Sequence, residues 1–223
     1  KAEQIKKEQN PMLYNLVEGL SIGAGIPMPK LYIINDLSIN AFATGRNPQN
    51  ASIAVTKGTL MKLNKEELEG VLAHELSHVK NLDIRFMVLV AVMVGTIVIL
   101  SDFFLRSFMF SNSDDKKGAN LILIAIGFTL AILSPIFTEI IKLAISRKRE
   151  YLADASGALL TKNPKGLANA LKKIGQDHNS LKTATHATAH LFISNPFKKK
   201  QWLNSIFSTH PPIEERILRL EKL

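Results

Sequence analysis

Two uncharged stretches near the middle of the chain limit what it can become. The first runs from Phe86 to Leu100 and resumes, after Ser101-Asp102, at Phe103-Phe104-Leu105; the second fills residues 119–138 and ends at Glu139. A helix needs about 20 apolar residues to cross the hydrocarbon core of a bilayer. The second stretch meets that length outright, and the first meets it over 86–105 when Asp102 sits at headgroup level. Between them, Arg106 to Gly118 is polar, with Ser111-Asn112-Ser113-Asp114-Asp115 as an exposed turn. The pair therefore reads as a transmembrane helical hairpin that enters and leaves on one side. A helical hairpin buried inside a soluble domain is the competing reading, and neither stretch can be a signal peptide, since both are internal.

Charge gives the hairpin an orientation. The chain has 223 residues, 28 basic against 19 acidic, for a formal charge of +9, and is 46% hydrophobic. Residues 102–118 are neutral overall (Arg106, Lys116 and Lys117 against Asp102, Asp114 and Asp115), so the whole excess belongs to the remainder. Lys80 and Arg85 precede the hairpin, and Lys142, Arg147, Lys148 and Arg149 follow it. By the positive-inside rule the bulk of the protein faces the cytoplasm from a multi-pass position in the inner membrane, with the lipid bilayer as a partner. A nucleic-acid partner is not expected, because the basic residues are dispersed or juxtamembrane and carry few interleaved aromatics. The chain contains no cysteine. That excludes thiolate metal sites and cysteine nucleophiles, and agrees with a reducing compartment.

Upstream of the hairpin lies His74-Glu75-Leu76-Ser77-His78. On a helix, imidazoles four positions apart share one face one turn apart, which suits two ligands of a tetrahedral zinc ion. Glu75 lies beside the metal without competing for it, placed to take a proton from a zinc-bound water. The local pattern supports a helix. Asn64 is a cap with Glu67 three residues on, and Leu68, Val71, Leu72, Leu76 and Val79 follow at helical spacing. Such a zinc needs a third protein ligand and one open position. After the hairpin, Glu150 and Asp154 stand one helical turn apart. Glu150 could complete the site and Asp154 could accept an imidazole N–H, or both could belong to an ordinary solvated helix face.

The remaining segments are read more coarsely. Lys1 to Leu20 has the spacing of an amphipathic helix. Leu31–Ile34 and Ala51–Val55 read as strands joined by a turn-rich Asn35–Asn50, so a small sheet precedes the active-site helix. The edge of the Ala51–Val55 strand, with Ile53 at its centre, is the expected docking line for an extended substrate. His186 and His190 are also four apart, but no carboxylate lies between them, so a helix face or loop is favoured over a second metal site. His178 fits a polar connection, and Trp202 a membrane-surface anchor beside Lys198-Lys199-Lys200.

Taken in order, Asn40-Ala41-Phe42-Ala43-Thr44-Gly45, His74-Glu75-Leu76-Ser77-His78, Glu150-Tyr151-Leu152-Ala153-Asp154 and Ser208-Thr209-His210-Pro211-Pro212 resemble the HtpX family of membrane-bound zinc metallopeptidases, grouped with the CAAX prenyl endopeptidases. The resemblance runs along nearly the whole chain. It implies one zinc ion held by His74, His78 and Glu150, with Glu75 as general base and Asp154 as the aspartate that follows the third ligand. It also implies substrate contacts at Asn40 and Ala41, and a place for His210 near the developing oxyanion. Because the chain opens on Lys1 rather than Met, a preceding part is expected, and the resemblance implies two membrane helices there.

The expected fold is mainly α with a small β-sheet, a gluzincin-like zinc peptidase domain spanning 1–223 and interrupted by the transmembrane hairpin. The expected activity is zinc-dependent endoproteolysis of membrane or misfolded polypeptides in quality control and stress response. The alternatives are a prenyl-protein endopeptidase and a non-catalytic membrane scaffold with a structural zinc.

Overall fold

The computed structural model describes residues 2–83, 85, 86, 89, 92, 96, 99, 106, 146–177 and 211–223. The chain divides into one unit of Lys1–Arg85 with Ser146–Leu223 and another of Phe86–Ile145.

The first unit opens with strand β1 (Ala2–Ile5) and helix α1 (Pro11–Ala24). One helix was expected over Lys1–Leu20, and the structure corrects this. Asn10 caps the helix by accepting from the Leu13 N–H, and Pro11 fills its first position, so the helix cannot extend back. The residues before it pair antiparallel with β2 (Lys30–Ile34), Ile5 opposite Leu31. Sheet pairing here overrides a helical apolar spacing.

Strands β3 (Ala41–Thr44) and β4 (Ser52–Thr56) complete a four-stranded sheet in the order β1-β2-β4-β3. β4 runs parallel to β2, with Ile53 opposite Leu31, and antiparallel to β3, with Ile53 opposite Ala43. The expectation of an open edge along Ala51, Ile53 and Val55 is therefore wrong: β4 is an interior strand whose two hydrogen-bonding sides are taken. Among the described residues the free edge on that flank belongs to β3, inside the segment read only as a turn-rich connection.

Helix α2 (Lys57–Lys62) leads into α3 (Lys65–Lys80), which begins at the predicted cap. The Glu67 N–H donates to Asn64 Oδ1 at 2.9 Å, and the Asn64 N–H donates to Glu67 Oε2 at 2.8 Å. α3 packs against α1, against β3 and against α5 (Pro164–Gln176), which follows α4, helical over 146–161. Leu13 and Val17 of α1, Leu68, Val71, Leu72 and Leu76 of α3, and Leu167, Leu171 and Ile174 of α5 form the core. Each contributes roughly 1.5–3 kcal/mol of burial. A Cβ on Gly70 would lie 2.6 Å from the Leu167 backbone nitrogen, so α3 and α5 touch backbone to backbone there. A last helix, α6 (Ile213–Leu220), packs on α5.

In the second unit Phe86, Leu89, Val92, Thr96, Ile99 and Arg106 are described, all helical. Leu89, Val92 and Ile99 are exposed. Among the described residues no helix is long and apolar enough to cross a membrane. The spans expected over 86–105 and 119–138 lie almost wholly outside the described residues.

Candidate metal centre

Burial of α3 between sheet and helices carries its polar residues inward with the leucines. His74 and Glu75 are buried, and His78, one turn on, is partly so. Facing them on α4 are Glu150, Asp154 and Gly157, spaced four and three residues apart on one face. A Cβ on Gly157 would stand 3.0 Å from the His74 backbone nitrogen, so α4 lies directly on α3 and brings Glu150 to the histidines.

Donor atoms of His74, His78 and Glu150 all fall within 4.8 Å of one another. His74 Nε2 is 3.1 Å from His78 Nε2, His78 Nε2 is 3.4 Å from Glu150 Oε1, and His74 Nε2 is 3.7 Å from Glu150 Oε2. A tetrahedral ion with bonds of about 2.0–2.1 Å requires neighbouring donors about 3.3 Å apart. The separations bracket that edge length, so these residues fit a small tetrahedral cation.

Each imidazole is held from behind by a carboxylate, and each carboxylate by an arginine. His74 Nδ1 lies 2.9 Å from Asp154 Oδ1, and Arg216 of α6 grips Asp154 through Nε at 2.8 Å and a terminal nitrogen at 2.7 Å. His78 Nδ1 lies 2.6 Å from Asp83 Oδ2, and Arg149 pairs with Asp83 and donates to the Asn81 carbonyl at 2.9 Å. With the Nδ1 protons held by carboxylates, both rings turn Nε2 to the same point. Asp83 can fold back because α3 ends at Lys80 and Leu82 takes a left-handed φ of 56°. Arg216 is fully buried, and a second terminal nitrogen lies 3.5 Å from Glu150 Oε2.

These contacts set the charges. Burial raises the pKa of Asp154, but Arg216 and the His74 hydrogen bond outweigh it and bring the carboxyl down to about 2. Burial would lower that of His78, yet Glu150 raises it on balance. Glu75 is pushed up chiefly by burial, against the pull of both histidines and a hydrogen bond from the Ala43 backbone. That last contact places the free edge of β3 at the site. The Thr56 N–H donates to the Asn40 carbonyl at 3.0 Å, so by strand alternation the backbone groups of Ala41 and Ala43 turn away from β4. Asn40 is itself buried and knotted in place. Its N–H lies 3.1 Å from Thr56 Oγ1 and 2.9 Å from Thr59 Oγ1, and its Oδ1 accepts from the Ala41 N–H at 3.0 Å.

The structure thus gathers His74, Glu75, His78, Glu150 and Asp154, with Asn40 and Ala41 at the start of the neighbouring strand. Ala51, Ile53 and Val55 sit in or beside the interior strand, away from any free edge. His210 lies outside the described residues, as do His178, His186, His190 and Trp202. Sequence reasoning missed Asp83, Arg149 and Arg216. A carboxylate just past the end of the motif helix was the available signal for Asp83. For Arg216 the signal was the short Ile213–Leu220 helix, in which one arginine falls on the apolar face.

Imidazole and carboxylate donors converging from adjacent helices, with a further buried carboxylate next in sequence to one of them, define a metallopeptidase. The particular family follows from comparison with known proteins: residues 7–223 match the model of Peptidase family M48, and the chain belongs to that family. It is 51% identical over 217 residues to a protein named Protease HtpX homolog from Caldanaerobacter subterraneus subsp. tengcongensis, covering 95% of this chain and 72% of that one. A Protease HtpX homolog from Dictyoglomus turgidum is 52% identical over 217 residues, covering 97% and 71%. Among solved structures, the crystal structure of Ste24p from S. mikatae superposes with a TM-score of 0.65 at 22% identity, covering 99% of this chain and 52% of that one. The chain spans about half the length of that structure, and the likeness is one of fold.

Proposed function

We propose that this chain is the catalytic part of a zinc-dependent membrane endopeptidase that cleaves unfolded or membrane polypeptides in quality control. The observation that carries the reading is the convergence of His74, His78 and Glu150 beside buried Glu75 at the free edge of β3. A zinc ion held by those three residues supplies Lewis-acid polarisation of the scissile carbonyl and draws the pKa of water towards about 7. Glu75 takes the proton from the attacking water and returns it to the leaving amine nitrogen. Asp154 and Asp83 hold the two imidazoles in the productive tautomer. An extended peptide pairs with the outward backbone groups of β3 near Ala41 and Ala43, with Asn40 fixing the start of that strand. Recognition through backbone implies broad sequence tolerance. His210 is assigned the oxyanion donor, as the family resemblance implies.

The relatives named as HtpX homologues, near 50% identity, favour this reading over a prenyl-protein endopeptidase, which has only a fold likeness at 22% identity behind it. Zinc-loaded protein is expected to cleave casein at many sites. A chelator should stop the reaction and added zinc restore it; cleavage that survives complete metal removal would refute the reading.

Membrane anchorage draws support from the uncharged stretches and from exposed helical Leu89, Val92 and Ile99. The catalytic unit then faces the cytoplasm, on the side of the flanking basic residues. A reporter fused at Ser113 is expected on the opposite face of the inner membrane from one fused after Leu223. Both on the cytoplasmic face would favour a hairpin that stays within the protein.

A further inference from the structure

We propose that the depression just past the end of β3, between Arg46 and Arg85, is a subsite for an acidic side chain of the substrate next to the bond that is cut. The proposal rests on the peptidase reading above. The depression is shallow and largely open to solvent, with enclosed room of about 10 Å³, roughly one water molecule, and Gly45, Arg46, His78, Val79, Leu82 and Arg85 are among its lining residues. His78 makes the wall it shares with the metal centre, so whatever enters lies within a residue or so of the scissile carbonyl.

The strand leads into it. At Gly45 the backbone takes φ 132°, and a Cβ there would stand 2.4 Å from the Asn50 carbonyl oxygen, so the chain turns sharply where β3 ends. A peptide paired along the free edge of β3 runs out over this turn. A side chain on the face towards α3 then drops against Val79 and Leu82.

Charge selects which side chain. Among the described residues that line the depression, two carry a guanidinium group and none carries a carboxylate. Arg149 and Arg216, by contrast, are committed to Asp83 and Asp154. Among the described residues neither Arg46 nor Arg85 has an ion pair or side-chain hydrogen bond. A glutamate lying across the open mouth covers Val79 and Leu82 with its methylene groups while its carboxylate meets the cations at the rim. A lysine in the same place meets like charge.

The test uses zinc-loaded protein and a set of quenched fluorescent peptides of one scaffold. Glutamate, glutamine or lysine is placed in turn at each of the positions flanking the cleaved bond. At one position glutamate should exceed lysine in kcat/KM by roughly three- to tenfold, the scale that two partly exposed ion pairs supply. The ratio should shrink as salt is raised and invert in the double variant Arg46→Glu, Arg85→Glu. Equal rates for glutamate and lysine at every position, or a preference that the double variant leaves intact, would overturn the subsite while leaving the peptidase reading standing. Cleavage of no peptide would overturn both. If instead the double variant lost binding to phosphatidylglycerol vesicles with the peptide ratios unchanged, the arginines would be lipid contacts and the subsite would fall.

Discussion

Glu75→Gln is expected to bind zinc as the native protein does and to hydrolyse casein roughly 10²–10⁴-fold more slowly, the contribution of a well-placed general base. The amide keeps the shape of the side chain and its place beside the Ala43 backbone, but it cannot accept a proton. Glu75 is near the metal-facing atoms without being one of the three converging donors, so metal content and turnover should separate in this variant. Metal analysis beside a cleavage assay decides the matter. Native-like turnover with full zinc would remove Glu75 from the mechanism; loss of zinc would make it a ligand. Glu150→Ala should behave in the opposite way, losing the metal first and activity as a consequence.

The second large effect is expected at Arg216. Replacing it by methionine leaves Asp154 buried without the cation that holds both its oxygens, a change that costs about 3–5 kcal/mol when one partner of a buried pair is removed. Because Asp154 also fixes His74, zinc affinity should fall roughly 10–100-fold, as for other groups that orient a ligand. Thermal unfolding of metal-free protein reads the first effect, and competition with a chromophoric chelator reads the second. Arg216→Lys should recover part of the stability but little of the affinity, since an ammonium cannot grip both oxygens at once. Asp154→Asn combined with Arg216→Met should cost less than the two changes summed, because each single variant strands a charge that the double one does not. Unaltered zinc affinity in Arg216→Met would show that the arginine serves packing alone.

What could be read from the sequence, and what could not, divides by the range of the interaction. α3 was legible because its cap, its apolar spacing and its two histidines lie within one short segment and reinforce one another. Glu150 and Asp154 could be named as candidates by their one-turn spacing, but nothing local says that α4 lies on α3; the contact that lets it do so is at Gly157. β3 was hidden for a different reason. Ala41-Phe42-Ala43-Thr44 has little alternation of its own and is a strand because β4 pairs with it, and that same pairing makes β4 interior and misdirected the search for an open edge to Ala51, Ile53 and Val55. At the N-terminus, Ile5 fits a helical stripe equally well, and only its partner Leu31 makes it a strand residue. Arg216 was least legible of all, since an arginine in a short helix reads as surface, as its neighbour Arg219 is, until α6 is seen packed on α5, burying it.

The clamp on His74 has a consequence in time. A polypeptide made from its N-terminus presents His74, His78 and Glu150 well before Arg216, which follows His74 by 142 residues. Until α6 docks, Asp154 lacks its counter-charge and His74 its fixed orientation. The support of His74 is therefore complete only once α6 has docked, and a copy that lacks α6 holds the same three donors without the clamp that fixes the first of them.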